Sequence, residues 1–244
     1  MRLLLLAGTR EARQIARTLS GESGLTLTAS LATSERRPQD YGWPVRIGGF
    51  GGEAAFRAYL AEERVDAIID ATHPFAARMA ERAARVAREM GLSYVRFLRP
   101  AWIPEQGDRW TCVDDESEVA RHVPEGSTVF VAIGRRELSK LGNLGNRTLI
   151  CRVREPTSDA FPFPNGRFLY QEAPFSVAEE VDLFRRLGID WIVERNAGGD
   201  GSLPKIEAAR ELGLPVAMVR RPPQPEGATM STVAETVDWV RRRL

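Results

Sequence analysis

The sequence predicts an α/β protein with doubly wound parallel sheets, arranged as two lobes. Three observations carry this expectation. Short apolar segments alternate with amphipathic ones through the first half of the chain, the signature of strand–helix units around a parallel sheet. Residues 65–76, VDAIIDATHPFA, form an apolar run that ends on an acid, a hydroxyl and an imidazole before a proline. Such a run reads as a buried parallel strand. Polar groups at its carboxyl end, beside a helix start, are where α/β proteins place ligands. Finally, Arg99-Pro100-Ala101-Trp102-Ile103-Pro104 breaks the rhythm with two prolines, after which the alternation resumes more loosely. The boundary is therefore set there, giving domains 1–98 and 99–244.

The elements follow in order. Residues 2–7 are a short apolar strand, and Gly8-Thr9 turns the chain into a helix over 10–19 with Ala12, Ile15, Ala16 and Leu19 at helical spacing. Thr9 is the expected N-cap, with Glu11 in the first turn. Leu25, Leu27, Ala29 and Leu31 alternate with hydroxyl residues as a second strand, and a polar, basic loop follows at 33–38. Val45-Arg46-Ile47 is a third strand leading into Gly48-Gly49-Phe50-Gly51-Gly52. Phe56, Tyr59 and Leu60 mark the next helix, before the strand that ends at Asp70. Residues 75–90 form a long helix rich in alanine and arginine, with Pro74 suited to its first position, and 93–98 form a strand.

In the second half, residues 128–133 are a strand ending in Gly134-Arg135, and 148–153 are another. Residues 156–166 hold three prolines and two phenylalanines, too irregular for a helix. Residues 175–187 read as an amphipathic helix, and 191–193 as a strand ending in Glu194-Arg195-Asn196-Ala197-Gly198-Gly199-Asp200-Gly201. A helix over 204–212, a strand over 215–219, a stop at Arg220-Arg221-Pro222-Pro223 and a last helix over 232–244 complete the chain. There is no low-complexity segment and no short-period repeat. Two α/β lobes with a cleft between them would suit an enzyme with two ligands.

Size and charge narrow the function classes. A chain of 244 residues can bury a real core in one domain or two. A formal charge of +1 argues against a general nucleic-acid or membrane-surface binder, and the longest apolar runs are far too short to span a bilayer. The opening residues begin like a signal peptide, but Gly8-Thr9-Arg10-Glu11 interrupts them, so they read as a first strand and the protein as cytoplasmic. Cys112 and Cys151 make neither metal-ligand spacing nor a disulfide framework. They are expected to be buried free thiols in a reducing compartment, with no metal. Arginine supplies all but two of the 34 basic residues, the exceptions being Lys140 and Lys205. Guanidinium is the better fork for carboxylates and phosphates, though abundance alone marks no site.

The candidate chemistry gathers at strand ends. The loop Ala7-Gly8-Thr9-Arg10-Glu11-Ala12 sits where helix-start N–H groups favour a pyrophosphate, yet it has one glycine where the common dinucleotide fingerprint has three. By itself it reads equally as an ordinary βα turn. After the second strand, an NAD site commonly offers an acid to the ribose, whereas NADP sites offer basic groups to the 2′-phosphate. This chain offers Ser30, Thr33, Ser34, Arg36 and Arg37, with Glu35 the only acid in the loop. If a dinucleotide binds, it is NADP. Gly48 and Gly49 permit close backbone approach to a flat ligand, or simply form a turn. His73 can serve as an acid near neutrality or as a structural hydrogen-bond partner, and Asp70 can cap the following helix. In the second half, Gly134-Arg135, Arg152, Arg195-Asn196 and Lys205 lie near strand ends. Together they would fit a polycarboxylate, while each alone is ordinary surface charge. The segment with Gly198 and Gly199 can form an anion nest.

Gly8-Thr9-Arg10-Glu11-Ala12, Asp70-Ala71-Thr72-His73-Pro74-Phe75-Ala76, Arg99-Pro100 with Trp102, the glycine segment from Asn196 to Lys205, and Arg221-Pro222 occur in this order. Together they closely resemble the precorrin-6A reductase family of cobalamin biosynthesis, over nearly the whole chain. The resemblance implies two Rossmann-like lobes, NADPH in the N-terminal one, and a modified tetrapyrrole, precorrin-6A or its cobalt form, in the cleft. It implies reduction of one macrocycle double bond; separately, the protein is expected to be a monomer, although the sequence does not fix the oligomeric state. Carried over, Gly8, Thr9, Arg10 and Glu11 would hold the cofactor phosphates and ribose, the 30–37 loop would face the 2′-phosphate, and Thr72, His73 and Pro74 would border the nicotinamide. Arg135, Arg152, Asn196 and Lys205 would meet the macrocycle's acetates and propionates. Two positions depart from the pattern: Ala7 replaces the first glycine of a Gly-Gly-Thr turn, and Ala197 replaces a serine.

The rivals are another NADP-dependent oxidoreductase on an acidic small molecule and a non-catalytic NADP(H)-binding sensor. An S-adenosylmethionine-dependent methyltransferase would usually want an acid after the second strand, and that is missing.

Overall fold

Leu3, Leu4, Leu5 and Leu6 are all buried in the first strand, β1 (Arg2–Leu6). Successive side chains of a strand point to opposite faces, so this run is stable only where both faces are covered, as in a parallel sheet between helices. Leu3 and Leu5 enter a core with Ala12, Ile15 and Ala16 of α1 (Arg10–Thr18). Leu4 and Leu6 enter another with residues of α2 (Glu53–Glu62) and α3 (Ala77–Met90). The protein, described by a computed structural model over residues 1–33 and 41–244, places β1 inside a six-stranded, all-parallel sheet. To one side lie β2 (Thr26–Leu31) and β3 (Val45–Ile47). To the other lie β4 (Ala67–Asp70), β5 (Ser93–Phe97) and a two-residue strand from near the end of the chain, Thr229–Met230.

That last strand corrects the predicted boundary. The two compact units are Met1–Pro100 with Pro222–Leu244, and Ala101–Arg221. The tail belongs with the first unit because its apolar groups are spent there. The final helix, Val233–Arg241, buries Val237, Trp239 and Val240 in the same core as α1, and Leu98 N–H donates to Met230 O at 2.8 Å.

A second correction concerns Pro74. The α3 helix begins at Ala77, not at Pro74. Ala76 N–H donates to His73 O at 2.8 Å, which closes a turn with proline in the second position that its fixed φ favours.

The second unit holds another six-stranded parallel sheet. Its order is β6 (Arg109–Val113), β11 (Pro215–Val219), β10 (Trp191–Arg195), β7 (Thr128–Val131), β8 (Thr148–Val153), β9 (Gly166–Tyr170). The short strand Thr229–Met230 of the first unit is β12, and the final helix is α6. The helices of this unit are α4 (Val177–Leu187), which opens on a capping box between Ser176 and Glu179, and α5 (Leu203–Leu212). Both outer strands, β6 and β9, escaped the sequence reading because an edge strand is half exposed and its apolar pattern is weak. One cysteine departs from expectation for the same reason. Cys151, on the inner strand β8, is buried, but Cys112 on β6 is exposed. Among the described residues, no helix is long and apolar enough to cross a membrane.

Candidate active site

In the first sheet the chain runs outward from β1 to β2 and β3 on one side, and to β4 and β5 on the other. The turns after β1 and β4 therefore flank the point where strand order reverses, the usual ligand position in an open α/β sheet. Gly8 takes φ of +140°, a conformation that favours glycine, and lets the chain enter α1. Thr9, nearly buried, caps that helix by accepting from Ala12 N–H at 3.1 Å. Its hydroxyl donates in turn to Ala71 O at 3.0 Å. One side chain thus ties the β1 turn to the β4 turn. Arg10 is exposed. Glu11 receives a hydrogen bond from Arg99, beyond β5, at 2.9 Å, so it braces a third strand end.

The end of β2 is basic and hydroxylic. Ser30 is buried, and Arg46, its partner in the β2–β3 register, donates to its Oγ at 3.3 Å. Arg46 also donates to the carbonyls of Gly48 and Gly49, and its guanidinium carbon lies 3.9 Å from the centre of the Phe50 ring. Thr33 is partly buried. Arg36, with the rest of the predicted loop from Ser34 to Arg37, lies outside the described residues. Arg46 was not singled out from the sequence; the available signal was a basic residue just before a glycine pair.

Asp70, at the end of β4, is fully buried and does not cap α3. Its Oδ1 accepts from Thr72 N–H at 3.0 Å and Thr72 Oγ1–H at 2.7 Å. Its Oδ2 accepts from the Tyr94 hydroxyl at 3.1 Å and from Arg96. Burial, then the adjacent Asp70 carboxylate, pushes the Tyr94 phenol well above its ordinary value, so it stays a donor. His73 Nδ1 accepts from Phe75 N–H at 3.3 Å. The neutral imidazole therefore carries its proton on Nε2.

In the second unit the predicted cations divide. Arg152 forms a two-pronged pair with Glu180 at 2.6 Å on each prong, both side chains nearly buried, and lies over Phe175. Lys205 is buried against Glu194. Both charges are already neutralised inside the protein. Arg135 is more open, donating to Thr157 Oγ1 at 2.9 Å and Asp159 at 2.6 Å. Arg154, just past β8, is exposed and escaped the sequence reading. Asn196 clamps Trp102 by accepting from its N–H at 2.8 Å and donating to its carbonyl at 2.9 Å. Gly198 and Gly199 follow with φ of +66° and +78°, and Gly199 O accepts from the Trp102 indole at 3.2 Å. Thus the structure draws Asn196, Gly198, Gly199 and Trp102 together, while Arg152 and Lys205 serve separate internal pairs.

A family model described as precorrin-6x reductase CbiJ/CobK matches residues 2–241. The chain belongs to this family. Its similarity to individual members extends over the full length. It is 39% identical over 241 residues to a precorrin-6A reductase of Rhodococcus erythropolis, covering 98% of this chain and 97% of that one. A precorrin-6A reductase of Rhodobacter capsulatus is 37% identical, with 98% and 95% coverage. A solved structure of CobK precorrin-6A reductase superposes with a TM-score of 0.92 at 36% identity, over 99% of this chain and 96% of that one.

Membership in the CbiJ/CobK family also gives the two departures a local reading. Ala7 and Ala197 are both nearly buried. Ala197 contributes its carbonyl, which accepts from Arg221 at 2.8 Å, while Arg221 donates to Asn196 O at 2.7 Å. A serine hydroxyl is not needed for either bond.

Proposed function

We propose that this chain reduces one double bond of precorrin-6A, or of its cobalt form, in cobalamin biosynthesis, with NADPH as the reductant. The observation that carries the reading is the Thr9 hydroxyl, which joins the turns after β1 and β4 at the reversal of strand order. Gly8, Thr9, Arg10 and Glu11 would hold the cofactor phosphates and ribose. The start of α1 presents unpaired N–H groups suited to phosphate oxygens, and the positive φ of Gly8 fits a close backbone approach there. Ser30, Thr33, Arg36 and Arg46 would receive the 2′-phosphate. The Arg46 guanidinium at this corner supports NADPH over NADH. Gly48 and Gly49 would lie beside the adenosine, and Thr72, His73 and Pro74 beside the nicotinamide.

NADPH would supply the hydride. The protein's part is orientation, worth on the order of 7–11 kcal/mol at the extreme. A saturated carbon–carbon bond also needs a proton, and His73 is its candidate source: its imidazolium would give the Nε2 proton and return to the neutral ring, whose Nδ1 accepts from Phe75 N–H. For the macrocycle's carboxylates, Arg135, Arg154 and the amides around Gly198 and Gly199 are the better partners. Arg152 and Lys205 are buried against carboxylates of their own, whereas the Arg135–Asp159 pair is open to solvent, so Arg152 and Lys205 would shape the site rather than bind directly. Asn196 would act by holding Trp102.

Mixing the protein with NADPH and precorrin-6A tests the reading. Loss of nicotinamide absorbance together with a change in the tetrapyrrole spectrum is expected. Cofactor binding without turnover would replace the reductase reading with a sensor.

A further inference from the structure

The segment Thr72-His73-Pro74 is held from two sides by one buried polar chain. Asp70 takes the backbone and hydroxyl of Thr72 on Oδ1, and Arg96 on Oδ2. Arg96 Nε donates to Gln224 Oε1 at 2.8 Å. Gln224 Nε2 then donates to Pro74 O at 3.2 Å and to Pro222 O at 2.7 Å. The chain of contacts leaves the segment at Thr72 and returns to it at Pro74, with His73 between them. Its members come from β4, β5 and the tail that returns to the first unit.

This is a poor device for stability alone. Arg96 is 1% exposed and Asp70 0%, and burying an ion pair gains little over apolar packing of similar volume. Arg96 Nη2 is also buried without a hydrogen-bond partner among the described residues, an added penalty. What the arrangement does achieve is a fixed course for the backbone on both sides of one imidazole. We propose that Arg96 and Gln224 are positioning residues for the hydride-transfer step, acting through Asp70 and the Pro74 carbonyl to set the Thr72–His73–Pro74 turn. This rests on the reading of that turn as the nicotinamide border.

The test uses the full-length protein and two variants. Gln224→Glu keeps an acceptor for Arg96 Nε but has no N–H for the Pro74 and Pro222 carbonyls; Gln224→Ala removes all three contacts. Turnover, melting temperature and the kinetic isotope effect with each stereoisomer of 4-deuterated NADPH are measured, alongside wild type. For Gln224→Glu we expect kcat to fall on the order of 10–100-fold. Its melting temperature should stay within about 4 °C of wild type, the shift that roughly 1 kcal/mol produces in a chain of this size. The isotope effect on kcat should rise with one stereoisomer, as transfer becomes slower than the other steps. Gln224→Ala should lose kcat alike. A purely structural role would lower the melting temperature and leave the isotope effect unmoved. Wild-type turnover with unchanged kcat and isotope effect in both variants would overturn the positioning role alone. Absence of wild-type turnover would overturn the reductase reading and this proposal with it.

Discussion

The Phe75 N–H donates to His73 Nδ1 and so sets the tautomer of the neutral ring. If its Nε2 proton completes the reduction, His73→Ala should lower kcat by roughly 100-fold or more, as loss of a general acid does. Wild-type turnover across pH would leave solvent as the donor. Two arginines two residues apart should behave oppositely. Arg152→Ala strands Glu180 in the interior and should cost about 3–5 kcal/mol of stability by denaturant titration. Arg154→Ala should leave stability alone and raise KM for the tetrapyrrole. A stable Arg152→Ala protein with raised KM would return Arg152 to the binding surface. The cysteines also separate. Burial pushes the Cys151 thiol up to about 12, so near pH 8 it stays protonated and shielded. Iodoacetamide should label Cys112 alone in the native protein and both residues in denaturant, read by mass spectrometry.

At the scale of elements, β3 matters for one side chain. Pairing Ser30 with Arg46 puts a guanidinium beside the end of β2, held by the carbonyls of Gly48 and Gly49. A charge-assisted hydrogen bond contributes about 1.5–3 kcal/mol. Arg46→Ala should therefore weaken NADPH binding on the order of 10–100-fold while leaving NADH affinity nearly unchanged. Equal losses for both nucleotides, measured by fluorescence titration, would remove Arg46 from the 2′-phosphate site. The elements that bear these groups differ in how legible they are. Buried on both faces, β1 and β4 announce themselves as apolar runs, and Thr9 stands out as a cap through local spacing. Arg46 is unremarkable until its neighbouring strand is known, and β6, β9 and β12 lack the apolar periodicity that would have revealed them.

At the scale of the whole molecule, the last residues return to the first sheet. Each of Val237, Trp239 and Val240 hides in the α1 core, and full burial of such a side chain contributes about 1.5–3 kcal/mol. Removing residues 222–244 should consequently cost more than about 4 kcal/mol, a large share of the 5–15 kcal/mol that holds a typical domain. A sharp loss of the first unit's protection in hydrogen exchange is expected. Unchanged protection would show that the tail is dispensable. Read alone, the sequence placed the tail in the second domain, since proline breaks near residues 99–104 look like a single crossing.

By itself, the sequence determined the α/β class, the central strands, the Thr9 cap of the first helix and the family, because each rests on neighbours a few positions apart or on an ordered string of motifs. Tertiary structure alone decided which ionised groups neutralise one another: Arg152 with Glu180, Lys205 with Glu194, Asp70 with Arg96. It also decided that Gln224, 128 residues from Arg96, completes the brace around His73. The reason is physical. Helical and strand periodicity is local, whereas a buried charge selects its partner by proximity in the folded core, and sequence separation carries no information about that distance.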